Sequence, residues 1–152
     1  MGSSPRVYVV SSPHLEAEFP GLRLTRYQVT SPRTPLYNCI AWAAGDQKRW
    51  WWPTPPNFWP PGAPSELTLD AFIAAYATVG FSPCGDDALE DGVDKVAIFV
   101  SPHGEPTHAA RQLANGRWTS KLGKAEDIEH ALHGVAGATY GRVGAILRRK
   151  AP

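Results

Sequence analysis

Cysteine is scarce in this chain, with only Cys39 and Cys84 among its 152 residues. Two thiols are too few for a disulfide framework, and their spacing is not that of a zinc site. One Cys39–Cys84 bridge is the only pairing within the chain that the sequence allows, and a titration that finds two free thiols would exclude it. A chain of this length can bury a hydrophobic core without disulfides or metal. We therefore expect one domain over residues 1–152.

A strong charge of one sign and long apolar runs are also missing. The formal net charge is +1 and only 19% of the residues are charged, so electrostatics do not favour nucleic acid as a partner. No stretch approaches the length of a membrane span, and residues 1–10 lack the features of a secretory signal. We therefore expect a cytoplasmic protein without a membrane or nucleic-acid partner.

The elements predicted from the pattern are short. A helix is expected from Thr68 to Val79, because apolar residues recur on one face and Gly80 follows. The segment up to Pro35 is rich in turn residues and is interpreted as mostly ordered loop after a first strand. The other predicted elements are strands at 6–10, 94–101, 107–113, 117–122 and 140–148, and a short helix near 125–133. Helices first and an antiparallel sheet after them indicate an α+β fold.

Aromatic residues concentrate in the proline-rich segment 49–62, here called the Trp-rich loop. Its prolines exclude a helix interior or a central strand. It holds four of the six tryptophans, namely Trp50, Trp51, Trp52 and Trp59. Such a loop can wrap over the core, form one wall of a substrate cleft, or do both. It is also a candidate surface for a protein partner.

The residues before Gly45 predict a short, buried helix that starts with a thiol. Asn38 suits the N-cap, which places Cys39 at the first helical position, and Gly45 ends the helix. Backbone N–H groups at a helix start carry partial positive charge, which lowers a thiol pKa and can stabilise an oxyanion. The sequence therefore nominates Cys39 as a nucleophile.

Among the five histidines, His108 has the position that best suits a site. It stands at the start of a predicted strand among small residues, in Thr107-His108-Ala109-Ala110. A thiol and a downstream imidazole form the pair needed for nucleophilic catalysis, in which imidazole takes the thiol proton and sulfur attacks a carbonyl. We therefore expect His108 to act as general base for Cys39.

Three segments carry a resemblance to a known group of proteins. They are Tyr37-Asn38-Cys39-Ile40-Ala41-Trp42, Thr107-His108-Ala109-Ala110-Arg111-Gln112-Leu113 and Gly116-Arg117-Trp118-Thr119-Ser120-Lys121-Leu122-Gly123. A cysteine on a helix, then a histidine on the first strand of a hairpin and a polar residue on the next, resembles papain-like peptidases, in particular the small circularly permuted NlpC/P60-like branch. The resemblance implies a papain-like α+β domain. The group includes peptidases, amidases, acyltransferases and inactive members.

The register of the hairpin decides which residue orients His108. If the loop is the three residues 114–116, His108 lies opposite Leu122 and Ala110 lies opposite Ser120. Ser120 is then the diagonal neighbour of His108, at the position where the resembled families carry His, Asn, Asp or Glu. A two-residue loop would instead turn Thr119 and Lys121 to the side of the histidine. Asp127 is the alternative orienting residue.

The expected activity is hydrolysis of a peptide or amide bond through a thioester, without a cofactor. The backbone N–H of Cys39 would hold the oxyanion, with the side chain of Asn38 or Tyr37 as a further donor. The first alternative is an inactive papain-like binding or interaction module, because cysteine is often simply buried. The second is an acyltransferase that uses the same two residues.

Three other features are assigned no catalytic role. Cys84 has no base nearby in the sequence and is interpreted as a packing residue. His130 and His133 would lie one turn apart on the predicted helix, but a third metal ligand is missing. Lys121, on a strand, is interpreted as part of a solvated face. We expect no metal site.

Overall fold

A seven-stranded antiparallel sheet organises the computed structural model, which describes residues 12–122 and 126–152. Its strands, in chain order, are β1 (Tyr27–Ser31), β2 (Ser82–Cys84), β3 (Val93–Val100), β4 (Pro106–Gln112), β5 (Trp118–Lys121), β6 (Asp127–His130) and β7 (Arg142–Lys150). The order across the sheet is β1-β6-β5-β4-β3-β7-β2. The helices are α1 (Pro13–Glu18), α2 (Cys39–Ala44) and α3 (Leu69–Ala77), with 3₁₀ turns at Pro20–Arg23 and Leu132–Val135. The predicted α+β class is confirmed.

The sheet is covered on both faces, and each face carries its own core. Successive residues of a strand point to opposite faces, so in β3 Ile98 joins one cluster and Phe99 joins the other. The first cluster packs under α2, α3 and the Trp-rich loop; we call that side of the sheet the α2 face. The second packs under α1 and the two 3₁₀ turns, on what we call the opposite face. Side chains on neighbouring positions of a strand therefore enter different cores.

The helix that begins at Cys39 has the predicted ends. The Asn38 side chain accepts a hydrogen bond from the N–H of Ala41, and Gly45 adopts a left-handed conformation with a φ of 90°. The helix α3 is likewise capped by Thr68, whose side chain accepts from the N–H of Ala71. Among the described residues, no helix has both the length and the apolar character needed to cross a membrane.

The hairpin between β4 and β5 has the three-residue loop, which is the first of the two alternatives that the sequence left open. The N–H of Leu113 donates to the carbonyl of Arg117 at 2.7 Å, and Arg111 pairs with Thr119 in the ladder. Extended beyond these paired residues, the same register sets Ala110 level with Ser120 and His108 level with Leu122. His108 and Ser120 therefore share one face of the sheet, as expected for the longer loop.

Two predicted segments differ from the structure. The helix near 125–133 is wrong, because residues 127–130 form β6 and only Leu132–Val135 makes a 3₁₀ turn. The β6 strand is paired on one side with β1 and on the other with β5, and this ladder outweighs the helical spacing of its apolar residues. The segment interpreted as loop before Pro35 holds α1, a 3₁₀ turn and β1. The strand predicted at 6–10 lies outside the described residues.

Candidate functional site

The Cys39 thiol lies at the start of α2 and is buried. Cys39 is 7% exposed, and its sulfur lies beside the N–H groups of Ala109, Ile40 and its own backbone. Those donors favour the thiolate, but burial outweighs them and raises the pKa of Cys39 to about 11. The expected lowering of this pKa is therefore wrong for the closed site, because desolvation penalises the charged form more than the N–H groups stabilise it. At neutral pH the thiol is protonated.

The imidazole of His108 is fully buried and held on several sides. Its ring stacks on Tyr140 with centroids 3.9 Å apart and lies 5.4 Å from the ring of Phe99. Its Nε2 is 2.9 Å from the hydroxyl of Ser120, whereas Nδ1 is buried and has no hydrogen-bond partner among the described residues. Burial, and secondarily the charge of His130, holds the pKa of His108 well below its usual value. The ring is neutral at physiological pH.

Cys39 and His108 meet at β4 but are not hydrogen-bonded to each other. The Ala109 N–H that faces the Cys39 sulfur belongs to the residue directly after His108. The side chain of Ala109 joins Cys39 in the first core, while the ring of His108 packs with Phe99 and Tyr140 of the second core. Burial, and secondarily the charge of a Cys39 thiolate, raises the pKa of Tyr140, the residue stacked on His108. The Cys39 thiol and the His108 imidazole thus lie near the same part of β4, but on opposite faces of the sheet.

Ser120, and not Asp127, contacts His108. The carboxylate of Asp127 instead accepts a hydrogen bond from the hydroxyl of Tyr37 at 2.9 Å. The reason is the strand alternation of β6, in which Ile128 enters the second core and Asp127 points to the α2 face. The sequence left two candidates, Ser120 and Asp127, for the residue that contacts the His108 ring. In the structure that residue is Ser120.

Asp127 belongs to a separate polar cluster on the α2 face. Burial, and secondarily the bond to Asp127, raises the pKa of Tyr37 to about 12. The ammonium of Lys121 lies 5.5 Å from the centre of the Tyr37 ring, and the Lys121 side chain is fully buried. The interpretation of Lys121 as a solvated residue is therefore wrong, because residue 121 follows Ser120 on the strand and faces α2. The Tyr37 hydroxyl gives its only proton to Asp127, which disagrees with its expected role as an oxyanion donor.

The Asn38 amide fastens the Trp-rich loop to α2. Its oxygen accepts from the N–H groups of Ala41 and Trp51, each at 3.1 Å, and its nitrogen donates to the carbonyl of Trp51 at 2.9 Å. Asn38 is 3% exposed. The Asn38 side chain therefore has a structural role. Its amide N–H donates to Trp51, which disagrees with the expected role of Asn38 as an oxyanion donor.

The Trp-rich loop packs over the first core. Trp51 is buried and stacks on Tyr76, and Trp52 and Trp59 both lie against Phe72 of α3, with ring centroids 5.5 and 4.9 Å apart. The indole N–H of Trp50 donates to the carbonyl of Pro35 at 2.6 Å. The packing interpretation of this loop is therefore confirmed. Trp50, Trp52 and Trp59 keep part of their surface exposed.

His130 is the residue whose place in the site the sequence did not indicate. Its Nε2 lies 2.7 Å from the hydroxyl of Ser120, on the face of the sheet that also carries His108. His133 is exposed on the following 3₁₀ turn, so the one-turn helical spacing of the two histidines does not form. Within 12–122 and 126–152, no three His, Cys, Asp or Glu side chains are grouped so as to hold a metal ion. The alternation Ile128, Glu129, His130 would have placed His130 beside Ser120, had β6 been recognised as a strand.

Comparison with known proteins gives a match to a family model. The family model described as a domain of unknown function (DUF7689) matches residues 28–148. That span contains the residues of the site described above, from Tyr37 to Tyr140. No curated protein and no solved structure matches the chain.

Proposed function

Since the chain belongs to the DUF7689 family of unknown function, we propose from its own geometry that it is a papain-like, cysteine-dependent hydrolase of a peptide or amide bond. Cys39 is the nucleophile and His108 the general base. One observation carries the proposal. His108 is held at Nε2 by Ser120, its buried Nδ1 has no partner among the described residues, and the N–H of the next residue, Ala109, lies beside the Cys39 sulfur.

A free nitrogen inside the protein is unusual for a structural histidine. Buried polar atoms are nearly always hydrogen-bonded, and one left without a partner costs about 1–3 kcal/mol. A neutral imidazole fixed at one nitrogen and free at the other is ready to accept a proton at the free one. That is the state a general base needs before catalysis.

The reaction begins from a neutral pair, because the pKa of the Cys39 thiol is about 11 and that of His108 is lowered. On substrate binding, the thiol proton moves from the Cys39 sulfur to Nδ1 of His108, and the sulfur attacks the carbonyl carbon. The backbone N–H of Cys39 would stabilise the oxyanion. The leaving amine takes the proton from His108, and water then hydrolyses the thioester. The first step requires Nδ1 and the sulfur to approach, as catalytic contacts often tighten only in the complex.

Further features support the substrate class and the compartment. The half-exposed Trp50, Trp52 and Trp59 offer apolar surface on the α2 face, where Trp52 and Trp59 lie against Phe72 of α3. Such a surface suits an apolar or extended peptidic substrate better than a highly charged one. Cys39 and Cys84 are both free thiols, which fits the reducing cytoplasm.

The proposal is tested with a peptidyl acyloxymethyl ketone, which alkylates an activated cysteine. We expect labelling of the wild type, complete loss in Cys39→Ala, and labelling at least 100-fold slower in His108→Ala, because a positioned base contributes about 10²–10⁴ in rate. Cys84→Ala is the matched control, since it removes the other thiol, and we expect it to be labelled like the wild type. Labelling rate is measured by intact-protein mass spectrometry at pH 7.5.

Two outcomes would contradict the proposal. Labelling that persists in Cys39→Ala and disappears in Cys84→Ala would move the reactive thiol elsewhere. A folded wild type that stays unlabelled at every pH up to 9 would favour the binding module, which the burial of Cys39 also supports. Addition of an amine acceptor to the reaction distinguishes the acyltransferase, because the acyl group then appears on the amine and not on water.

A further inference from the structure

Three polar side chains form a hydrogen-bonded row on the opposite face of the sheet. They are His108 of β4, Ser120 of β5 and His130 of β6, which come from three neighbouring strands. The Ser120 hydroxyl lies 2.9 Å from Nε2 of His108 and 2.7 Å from Nε2 of His130. All three residues are 0% exposed. A hydroxyl between two imidazoles can bond them in either direction, so the direction needs a cause.

The direction of these hydrogen bonds is set at the His130 end of the row. Nδ1 of His130 lies 2.6 Å from the backbone carbonyl of Ala131. A carbonyl oxygen only accepts hydrogen bonds, so Nδ1 of His130 must carry a proton. Burial lowers the pKa of His130 to about 4, so the ring is neutral at pH 7 and has a single N–H. Its Nε2 is therefore an acceptor.

The remaining bonds follow in sequence. Ser120 has one hydroxyl proton, and it donates that proton to Nε2 of His130. The Ser120 oxygen can then only accept from His108, so Nε2 of His108 must carry a proton. A neutral His108 ring consequently has a bare lone pair at Nδ1, the atom without a partner among the described residues.

We propose that His130 is a positioning residue that fixes the tautomer of His108 through Ser120, with the Ala131 carbonyl as the anchor. The effect of His130 on the reactivity of Cys39 rests on the proposed function, whereas the assignment of the His108 tautomer does not. The row keeps the basic nitrogen of His108 on Nδ1, and when Nδ1 takes the thiol proton, the Nε2–H of His108 still donates to Ser120. No bond of the row has to reverse during the reaction, which is the benefit of preorganisation.

The tautomers are read directly by long-range ¹H–¹⁵N correlation spectra of protein labelled with ¹⁵N-histidine at pH 7. We expect the Nε2–H tautomer for His108 and the Nδ1–H tautomer for His130. In His130→Met the Ser120 proton loses its acceptor and can donate to His108, so the His108 signals should shift towards a mixture of tautomers. The rate of Cys39 labelling should fall at least tenfold.

A conservative variant and a surface variant serve as controls. In His130→Gln the amide oxygen can accept from Ser120, so we expect the His108 tautomer to return to the wild-type form and the labelling rate to recover to within threefold. His133→Met makes the same change at the exposed histidine three residues away and should alter neither measurement. These variants separate loss of the acceptor from a general loss of packing.

Each outcome decides a distinct claim. An Nδ1–H tautomer of His108 in the wild type, or an unchanged tautomer in His130→Met, would overturn the inference even if Cys39 is labelled normally. The expected tautomers together with an unreactive Cys39 would uphold the inference and refute the proposed function. If His130→Met fails to fold, Ser120→Ala gives the same test, because it breaks the row between the two rings.

Discussion

At the scale of single residues, Asn38 shows how one side chain sets the position of two parts of the site. The same amide caps α2 and holds the backbone of Trp51. The cap places Cys39 at the first helical position, and the bonds to Trp51 bring the Trp-rich loop over the first core. A cap recognised from sequence thus also anchors a loop distant from it in the chain.

The double role of Asn38 gives a quantitative prediction. Asn38→Ala should lower the free energy of unfolding by about 2–3 kcal/mol, because it removes a cap worth about 1 kcal/mol and leaves buried groups of Trp51 without partners. Thr68→Ala, which removes only the cap of α3, should cost about 1 kcal/mol. Urea denaturation measures both. Equal losses in the two variants would show that the bonds to Trp51 contribute little.

At the scale of elements, the pairing of strands decides what the local pattern leaves ambiguous. The segment 127–130 has apolar residues at helical spacing with residues 131 and 132, yet it is a strand between β1 and β5. The hairpin loop 114–116, by contrast, was predicted correctly because its turn chemistry is local. The entry into β7 depends on a close approach that a side chain would block. Gly141 has a φ of 81°, and a Cβ there would overlap the carbonyl oxygen of Val100.

Gly141→Ala tests this approach between β7 and β3. We expect a loss of about 3 kcal/mol or more, because the methyl group clashes with backbone and the residue stays in a conformation unfavourable for alanine. Gly137→Ala is the matched control: its φ is 138°, but nothing lies within 4 Å of the added Cβ. It should cost about 1–2 kcal/mol from strain alone. Thermal or urea unfolding compares the two, and similar losses would contradict the proposed clash.

At the scale of the whole molecule, the polar and titratable groups of the site are distributed over the two faces of the sheet. The α2 face holds the Cys39 thiol and the cluster of Tyr37, Lys121 and Asp127, whereas the opposite face holds the two buried histidines. A protonated imidazole in that second core would be charged and desolvated. The global stability should therefore depend on pH in the range where histidine titrates.

The sign of the pH dependence of stability follows from the lowered pKa values of His130 and His108. In the unfolded chain His130 takes up a proton near pH 6.5, while in the folded protein it does so only near pH 4. Protons therefore favour the unfolded state in this window, and stability falls as pH drops. Between pH 7.5 and 5, His130 alone should account for about 2 kcal/mol, and His108 adds to it in the same direction.

Urea denaturation at a series of pH values measures the slope. His130→Gln should flatten it, because glutamine does not titrate, and His133→Gln, at the exposed histidine, should leave it unchanged. A wild-type stability that is the same at pH 7.5 and pH 5 would mean that the two rings are not neutral and desolvated in the folded protein.

Features that depend only on neighbouring residues can be predicted from a short stretch of this chain. Asn38 and Gly45 bound the helix that begins with Cys39, Thr68 starts α3, and residues 114–116 join the two strands of the hairpin. Capping, left-handed glycine and turn geometry act over a few residues, so their signals can be read from a short stretch of chain.

The chemical state of the site depends on contacts between parts of the chain that are distant in sequence. Burial raised the pKa of the Cys39 thiol against the effect of the helix start, the alternation in β6 turned Asp127 away from His108, and the pairing of β6 with β5 brought His130 to Ser120. Desolvation depends on what covers a group, and a hydrogen-bonded row depends on strands that are distant in sequence. Both are products of packing, which local patterns of residues do not specify.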